Sequence, residues 1–203
     1  MVPIIILVAP SGSGKSSILR KIRQKKLCAF SISVTTRAPR KGEVDGQDYY
    51  FFDQERFSKY QNDQRFLETT SVCGHSYGTL IEEVNTLQGQ SLPIVLELDV
   101  IGAQVARQFF SMTTVIMVAP PSLSCLMTRL KARGSERQED LERRLAAASS
   151  EVRWGVAHAD YIIINDQIDV AVSDFEAILR SQCLKTRYSV EKHQKTLEDF
   201  LSI

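Results

Sequence analysis

Gly12 and Gly14 stand in a short turn that ends in Lys15 and Ser16, a spacing that suits the capture of a polyphosphate. The stretch from Ala9 to Ser16 reads A-x-x-x-x-G-K-S, a phosphate-binding loop with Ala where Gly usually begins it. The two glycines admit positive φ, so that successive N–H groups converge on phosphate oxygens where the next helix starts. Lys15 then reaches the β and γ phosphates, and the Ser16 hydroxyl is a ligand for Mg²⁺. The candidate cradle is Ala9, Pro10, Ser11, Gly12, Ser13, Gly14, Lys15, Ser16 and Ser17. A glycine-rich helix start without a ligand is the plainer alternative. Against it, an apolar strand pattern precedes the turn, a helix pattern follows it, and Lys-Ser falls at the right offset. ATPases, GTPases and kinases share such a loop, so it assigns a nucleoside triphosphate and not a reaction.

Acidic residues supply the second constellation. "IVLELDV" puts Glu97 and Asp99 at the C-terminal end of an apolar strand, where open α/β sheets place their ligands. Carboxylates there orient Mg²⁺ waters or bind substrate, though one of the pair could simply cap the following helix. No Asn-Lys-x-Asp signature argues for a GTPase. The third constellation is "SISVTTRAPRKGEVDGQDYYFF" with "RFLETTSVCGHSYGT", which concentrates Arg37, Arg40, Tyr49, Glu68, Tyr77 and Thr79 in one region. Two guanidinium forks and phenolic hydroxyls suit a terminal phosphate.

These groups need elements to hold them. Apolar, often β-branched runs at Val2–Val8, Ala29–Val34, Ile94–Leu98, Thr113–Val118 and Tyr161–Ile164 read as buried parallel strands. Helix patterns alternate with them at Lys15–Gln24, Gly102–Phe109, Ser122–Arg133, Glu139–Arg153 and Val170–Leu184, which predicts an α/β layer fold. Residues 35–90 break the rhythm and read as an inserted subdomain of short strands with one or two helices. Residues 129–153 are dense in both charge signs, and 185–203 read as a polar helix or tail.

At 203 residues, with 43% hydrophobic and 24% charged residues, the chain has the composition of a globular domain. Its net charge of +1 offers no basic excess for nucleic acid or an anionic membrane. Cys28, Cys73, Cys125 and Cys183 lie far apart without zinc-ligand spacing and read as reduced thiols of a cytoplasmic protein. The N-terminal apolar run is too short to span a bilayer and lacks a basic flank. His75, His158 and His193 are scattered and take no catalytic role; Trp154 reads as a packing residue.

Together "APSGSGKSS", "TTRAPRKGEVDGQDYYF", "FLE", "YGT", "ARG" and "IIINDQID" resemble guanylate kinase, the family that moves a phosphoryl group from ATP to GMP. The resemblance runs to about Leu184. It implies a P-loop three-layer α/β/α core with a parallel sheet (1–34, 91–128 and 154–184), a GMP-binding insertion (35–90) and a helical lid (129–153). It gives the GMP phosphate to Arg37, Arg40, Tyr49 and Tyr77, and guanine to Ser33, Glu68, Thr79 and Asp99. The ATP phosphates fall to the glycine loop, with Arg133 and Arg144 as catalytic lid cations and Arg129 beside them; Asn165 is placed near adenine. Ser16 and Glu97 are the expected Mg²⁺ contacts. The partners implied are GMP and ATP, for a monomer or homodimer. The chain departs from the family at Glu97 (usually Asp), Ile101 (usually Gln) and Ser76 (commonly Tyr).

Two rivals differ in class. Guanylate-kinase-like domains also serve as silent phosphopeptide-binding modules, but with damaged ATP loops, whereas Gly14, Lys15 and Ser16 are intact here. A P-loop kinase for another phosphorylated acceptor is disfavoured by Glu68 and Thr79, which pair with guanine and not with adenine.

Overall fold

The strand β1 (Ile4–Val8) is apolar and buried at every position, the pattern of a central strand covered on both faces. A computed structural model of the protein describes residues 2–40, 42–72, 74–110, 112–132, 138–186, 188–189 and 193. Four further strands lie parallel to β1 or its neighbours: β2 (Ala29–Phe30), β7 (Ile94–Glu97), β8 (Thr113–Ala119) and β9 (Tyr161–Ile164), in the order β2-β7-β1-β8-β9. Because side chains alternate along a strand, β1 feeds two cores. Ile5 and Leu7 meet Ile18 and Ile22 of α1 (Lys15–Lys25) and Phe175 of α7 (Ile168–Cys183). Ile4, Ile6 and Val8 meet Ala103 and Ala106 of α4 (Val100–Phe109), with Trp154 of α6 (Gln138–His158) packed alongside. The result is the expected three-layer α/β/α arrangement, with Trp154 in a packing role. Lys21 to Asp169 and Lys25 to Glu176 ion pairs tie α1 to α7.

The predicted strand Ala29–Val34 divides. Ala29 and Phe30 pair with β7, and Ser31 donates its N–H to the Val95 carbonyl. The polar stretch Ser31–Ser33 then carries the chain out of the first sheet, and β3 (Val34–Thr35) begins a second. That sheet adds β4 (Tyr50–Phe51), β5 (Phe66–Val72) and β6 (His75–Leu80) in the order β4-β3-β6-β5. Its core is Val34, Phe52, Phe57 and Leu80; Phe57, on α2 (Gln54–Asn62), stacks on Phe66 with ring centroids 4.6 Å apart. The helix α3 (Ile81–Gln88) leads back to β7.

Other boundaries shift for local reasons. The helix α4 starts at Val100 and not Gly102, because Asp99 is its N-cap and accepts the Gly102 N–H at 2.7 Å. The helix α6 runs unbroken to His158, so the expected boundary at 153/154 falls inside it. Its N-terminal half packs on α5 (Leu123–Lys131) through Leu126, Leu130, Leu141 and Ala148. Cys28 is buried, Cys125 and Cys183 are half-buried, none of the three is in a disulfide, and Cys73 lies outside the described residues, as does most of 185–203. Among the described residues no helix is long and apolar enough to cross a membrane.

Gly155 sets how closely α6 sits on β8. A Cβ there would lie 2.5 Å from Met117 Cε, 2.7 Å from Cγ and 3.0 Å from Cβ. Gly155→Ala therefore overpacks the second core, at about 1–3 kcal/mol, against roughly 1 kcal/mol gained in helix propensity. Denaturant unfolding is expected to show a net loss of up to about 2 kcal/mol; a higher midpoint would contradict this packing.

Candidate active site

The turn between β1 and α1 has the conformation its glycines predict. Gly12 and Gly14 take φ of 85° and 90°, and Gly14 caps α1 from the left-handed region. Space as well as conformation demands them. A Cβ on Gly12 would stand 2.8 Å from Leu126 Cδ1, and one on Gly14 would stand 2.1 Å from Asn165 Nδ2. The Ser13 carbonyl is drawn to the rear by two donors, Asn165 Nδ2 at 2.7 Å and Arg129 Nη1 at 3.2 Å. Arg129 also donates to the Asn165 carbonyl at 3.0 Å. Since a peptide's C=O and N–H point oppositely, anchoring Ser13 O turns the Gly14 N–H to the other side of the loop.

In front of the loop lies a cleft of about 380 Å³ between the two sheets. Lys15, Ser16, Glu97 and Asp99 line it from the core; Ser33, Arg37, Arg40, Tyr49, Glu68 and Tyr77 line it from the other side. Glu97, at the end of β7, carries Lys15 Nζ 3.6 Å from Oε2 and Arg23 Nη2 3.3 Å from Oε1. Arg37 meets Glu43 as a two-pronged pair, both bonds 2.9 Å, and its guanidinium lies 5.5 Å from the Tyr49 ring centroid. Glu43 also accepts the Arg40 N–H at 2.7 Å, so one carboxylate fixes both arginine positions of the turn. Tyr49 and Tyr77 meet edge to face at 6.0 Å.

Glu68 is the most unusual group. It is 8% exposed, and an irregularity in β5 between Phe66 and Glu68 sets it opposite Thr79, whose hydroxyl donates to Oε1 at 2.7 Å. A Cβ at Gly102 would lie 2.9 Å from its Oε2, so the carboxylate sits against bare helix backbone. Burial pushes its carboxyl up to about 7; the Thr79 hydrogen bond opposes this, and the Asp99 charge adds to it. Asp99 itself caps α4 and accepts the Thr70 hydroxyl at 2.7 Å.

A family model for guanylate kinase matches residues 1–182. A curated guanylate kinase from Thiobacillus denitrificans is 39% identical over 199 residues, covering 98% of this chain and 95% of its own length. One from Carboxydothermus hydrogenoformans is 36% identical over 188 residues, covering 91% and 90%. The crystal structure of guanylate kinase from Anaplasma phagocytophilum matches with a TM-score of 0.72 at 30% identity, over 91% of this chain and 88% of that one.

The chain belongs to the guanylate kinase family. The guanylate kinase fold thus gathers most of the residues picked out from the sequence around one cleft. Five of the described ones do not line it. Thr79 is buried, does not line the cleft, and holds Glu68. Asn165 is 5% exposed, holds its amide under the loop at Ser13, and does not line the cleft. Arg129 likewise braces the loop from behind. Ser17 is exposed on α1 outside the cleft. Arg144 lies on α6 away from the cleft wall, and Arg133 falls outside the described residues.

Sequence reading missed Arg23, Ser31, Thr70 and Glu151, all of which line the cleft. Glu151 comes from α6; burial raises its carboxyl above the usual range, Asp99 adds to this and Lys15 opposes it. One face of α6 carrying Glu151 four residues before the close-packed Gly155 was the available signal.

Asn165→Ala leaves the Ser13 carbonyl with Arg129 alone. A buried acceptor stripped of a partner costs about 1–3 kcal/mol. Calorimetry with ADP as probe is expected to show binding weakened about tenfold or more, with GMP binding unchanged. Equal weakening of both would contradict a role confined to the loop.

Proposed function

We propose that this chain transfers the γ-phosphoryl group of ATP to GMP, and to dGMP, reversibly, in cytoplasmic purine nucleotide recycling. The observation that carries the reading is a desolvated carboxylate, Glu68, in the same cleft as the phosphate loop. Guanine presents two adjacent donors, N1–H and the 2-amino group, which one carboxylate accepts together. Adenine presents an acceptor at N1 and no 2-amino group, and would leave Glu68 buried beside an acceptor. Such a mismatch costs at least about 1–3 kcal/mol, roughly 10- to 100-fold. Asp99 and Ser33 complete the base side. Thr79 acts by orienting Glu68, because cross-strand register places its hydroxyl on that carboxylate.

Arg37, Arg40, Tyr49 and Tyr77 are assigned to the GMP phosphate, and the Gly12–Ser16 amides with Lys15 to the ATP phosphates. The acceptor oxygen is already anionic near neutral pH, so neither an enzyme nucleophile nor a general base is required. The protein's work is alignment and charge neutralisation. Arg144 and Arg133 would join the triphosphate when the α5–α6 arm closes and excludes water. The residues present fit Mg²⁺. Among the described residues no three acidic, His or Cys side chains converge as a metal cluster, but Ser16 is exposed on the cleft wall and Glu97 lines the same cleft. A hydroxyl plus a carboxylate reached through water, with phosphates filling the remaining positions, is the usual protein share of a nucleotide-bound Mg²⁺. When bound, the ion would neutralise charge on the β and γ phosphate oxygens.

Coupled ADP-release assays with GMP, dGMP, AMP, CMP, UMP and dTMP test the reading. GMP and dGMP are expected to exceed the others in kcat/KM by about 100-fold; best turnover with AMP or a pyrimidine would overturn it. A second expectation follows from the titration of Glu68. Its carboxyl, near 7 when free, is partly protonated at pH 7, and guanine donors favour the ionised form. GMP binding should therefore release protons at pH 7 and weaken as pH falls below 7. Calorimetry in buffers of different ionisation enthalpy measures the release, and Glu68→Gln should abolish this part of it. Equal release by both proteins would remove Glu68 from the base site.

A further inference from the structure

Glu97 is held between two cations, one of which belongs to no loop motif. Lys15 Nζ lies 3.6 Å from Oε2, beyond hydrogen-bond range, while Arg23 Nη2 lies 3.3 Å from Oε1. Arg23 stands two turns further along α1 than Lys15, and its guanidinium stacks on Phe30 of β2, 4.1 Å from the ring centroid. That stack fixes a long side chain which would otherwise be free in solvent, and Arg23 lines the same cleft as Lys15 and Tyr49. Glu97 also borders the acceptor side. Burial and then the negative charge of Glu97 push the Tyr49 phenol above its usual value.

A carboxylate so placed has two adverse effects on a reaction between two phosphates. It attracts Lys15 away from the donor, and it repels the acceptor. We propose that Arg23 is a positioning residue for phosphoryl transfer, which by holding Glu97 Oε1 keeps the carboxylate from closing on Lys15 and keeps the cleft floor net positive. The proposal rests on the kinase reading above.

The three charges Arg23, Glu97 and Lys15 sum to +1. Without Arg23 the sum is zero, and Oε1 and Oε2 are both free to chelate the Lys15 ammonium. Lys15 must then break a hydrogen-bonded pair before it can meet a phosphate. The side chain of Arg23 is 40% exposed, so solvent screens the effect and moderates it. The dependence on reach is sharp. Asp at 97 would retract the carboxylate by about 1.5 Å, one carbon–carbon bond, which leaves Arg23 nothing to hold.

A double-mutant cycle in the full chain tests this, with steady-state kinetics on ATP and GMP and calorimetry with ADP. Arg23→Ala is expected to lower kcat and to weaken ADP binding by about three- to tenfold. Arg23→Lys, which keeps the charge, should recover at least half of the lost turnover. In the Glu97→Asp background Arg23→Ala should add no further loss. Coupling of threefold or more between the positions, together with rescue by Lys, supports the proposal. An unchanged kcat in Arg23→Ala, losses that multiply independently, or no rescue by Lys overturns it. The unsubstituted chain's turnover of GMP is read in the same assay, so failure of the kinase reading is seen separately from failure of the Arg23 role.

Discussion

Two phosphate groups brought to bonding distance repel each other, and the cleft has to hold opposing charge in place before either arrives. This chain does so largely with backbone. The Ser13 carbonyl, gripped by Asn165 and Arg129, fixes the peptide that turns the Gly14 N–H to the other face of the loop. Gly12 lets Leu126 and Leu130 of α5 press against the loop from below. Dipoles held this way need no reorganisation when charge develops, which is why preorganised donors are so effective in a water-poor site. Side chains are restrained in the same spirit: Arg37 by Glu43 and Tyr49, and Glu97 by Arg23, with Lys15 3.6 Å from that carboxylate.

The base side uses the opposite device. Glu68 is removed from water by Gly102 and the start of α4, beside another carboxylate, Asp99. An acid in that position is held in reserve by desolvation and relieved by a ligand that brings two donors. Guanine selection and the uptake of a proton by the empty protein are then one phenomenon. Because Glu68 belongs to the second sheet while Asp99 and Gly102 belong to the core, the same contact couples the two sheets.

The parts legible in the sequence were those whose cause is local. The β1 apolar run, the Gly12 and Gly14 turn, and the strand-end acids Glu97 and Asp99 carry their reason within a few neighbouring residues. Arg37, Arg40, Tyr49, Glu68 and Tyr77 stood out by their concentration in one region, took their roles from the resemblance, and do line one cleft. What stayed hidden depends on distant partners. Asn165 braces a loop 152 positions away, and Arg23 meets Glu97 across 74. Neither spacing leaves a trace in the sequence. The division of Ala29–Val34 between two sheets escaped notice because the apolar pattern continues through Ile32 and Val34, while the pairing partner changes from Val95 to Tyr50. Thr79 does stand beside Glu68, but that its hydroxyl rests on that carboxylate follows from strand register, which the sequence does not show.

The central claim is that one preformed cleft holds both anions at once, end to end. A compound joining adenosine to guanosine through five phosphates measures it directly by calorimetry. Filling both halves together converts the second contact into an intramolecular one, so the compound is expected to bind at least about 100-fold tighter than ADP or GMP alone. Affinity no better than that of the tighter single nucleotide would contradict the account.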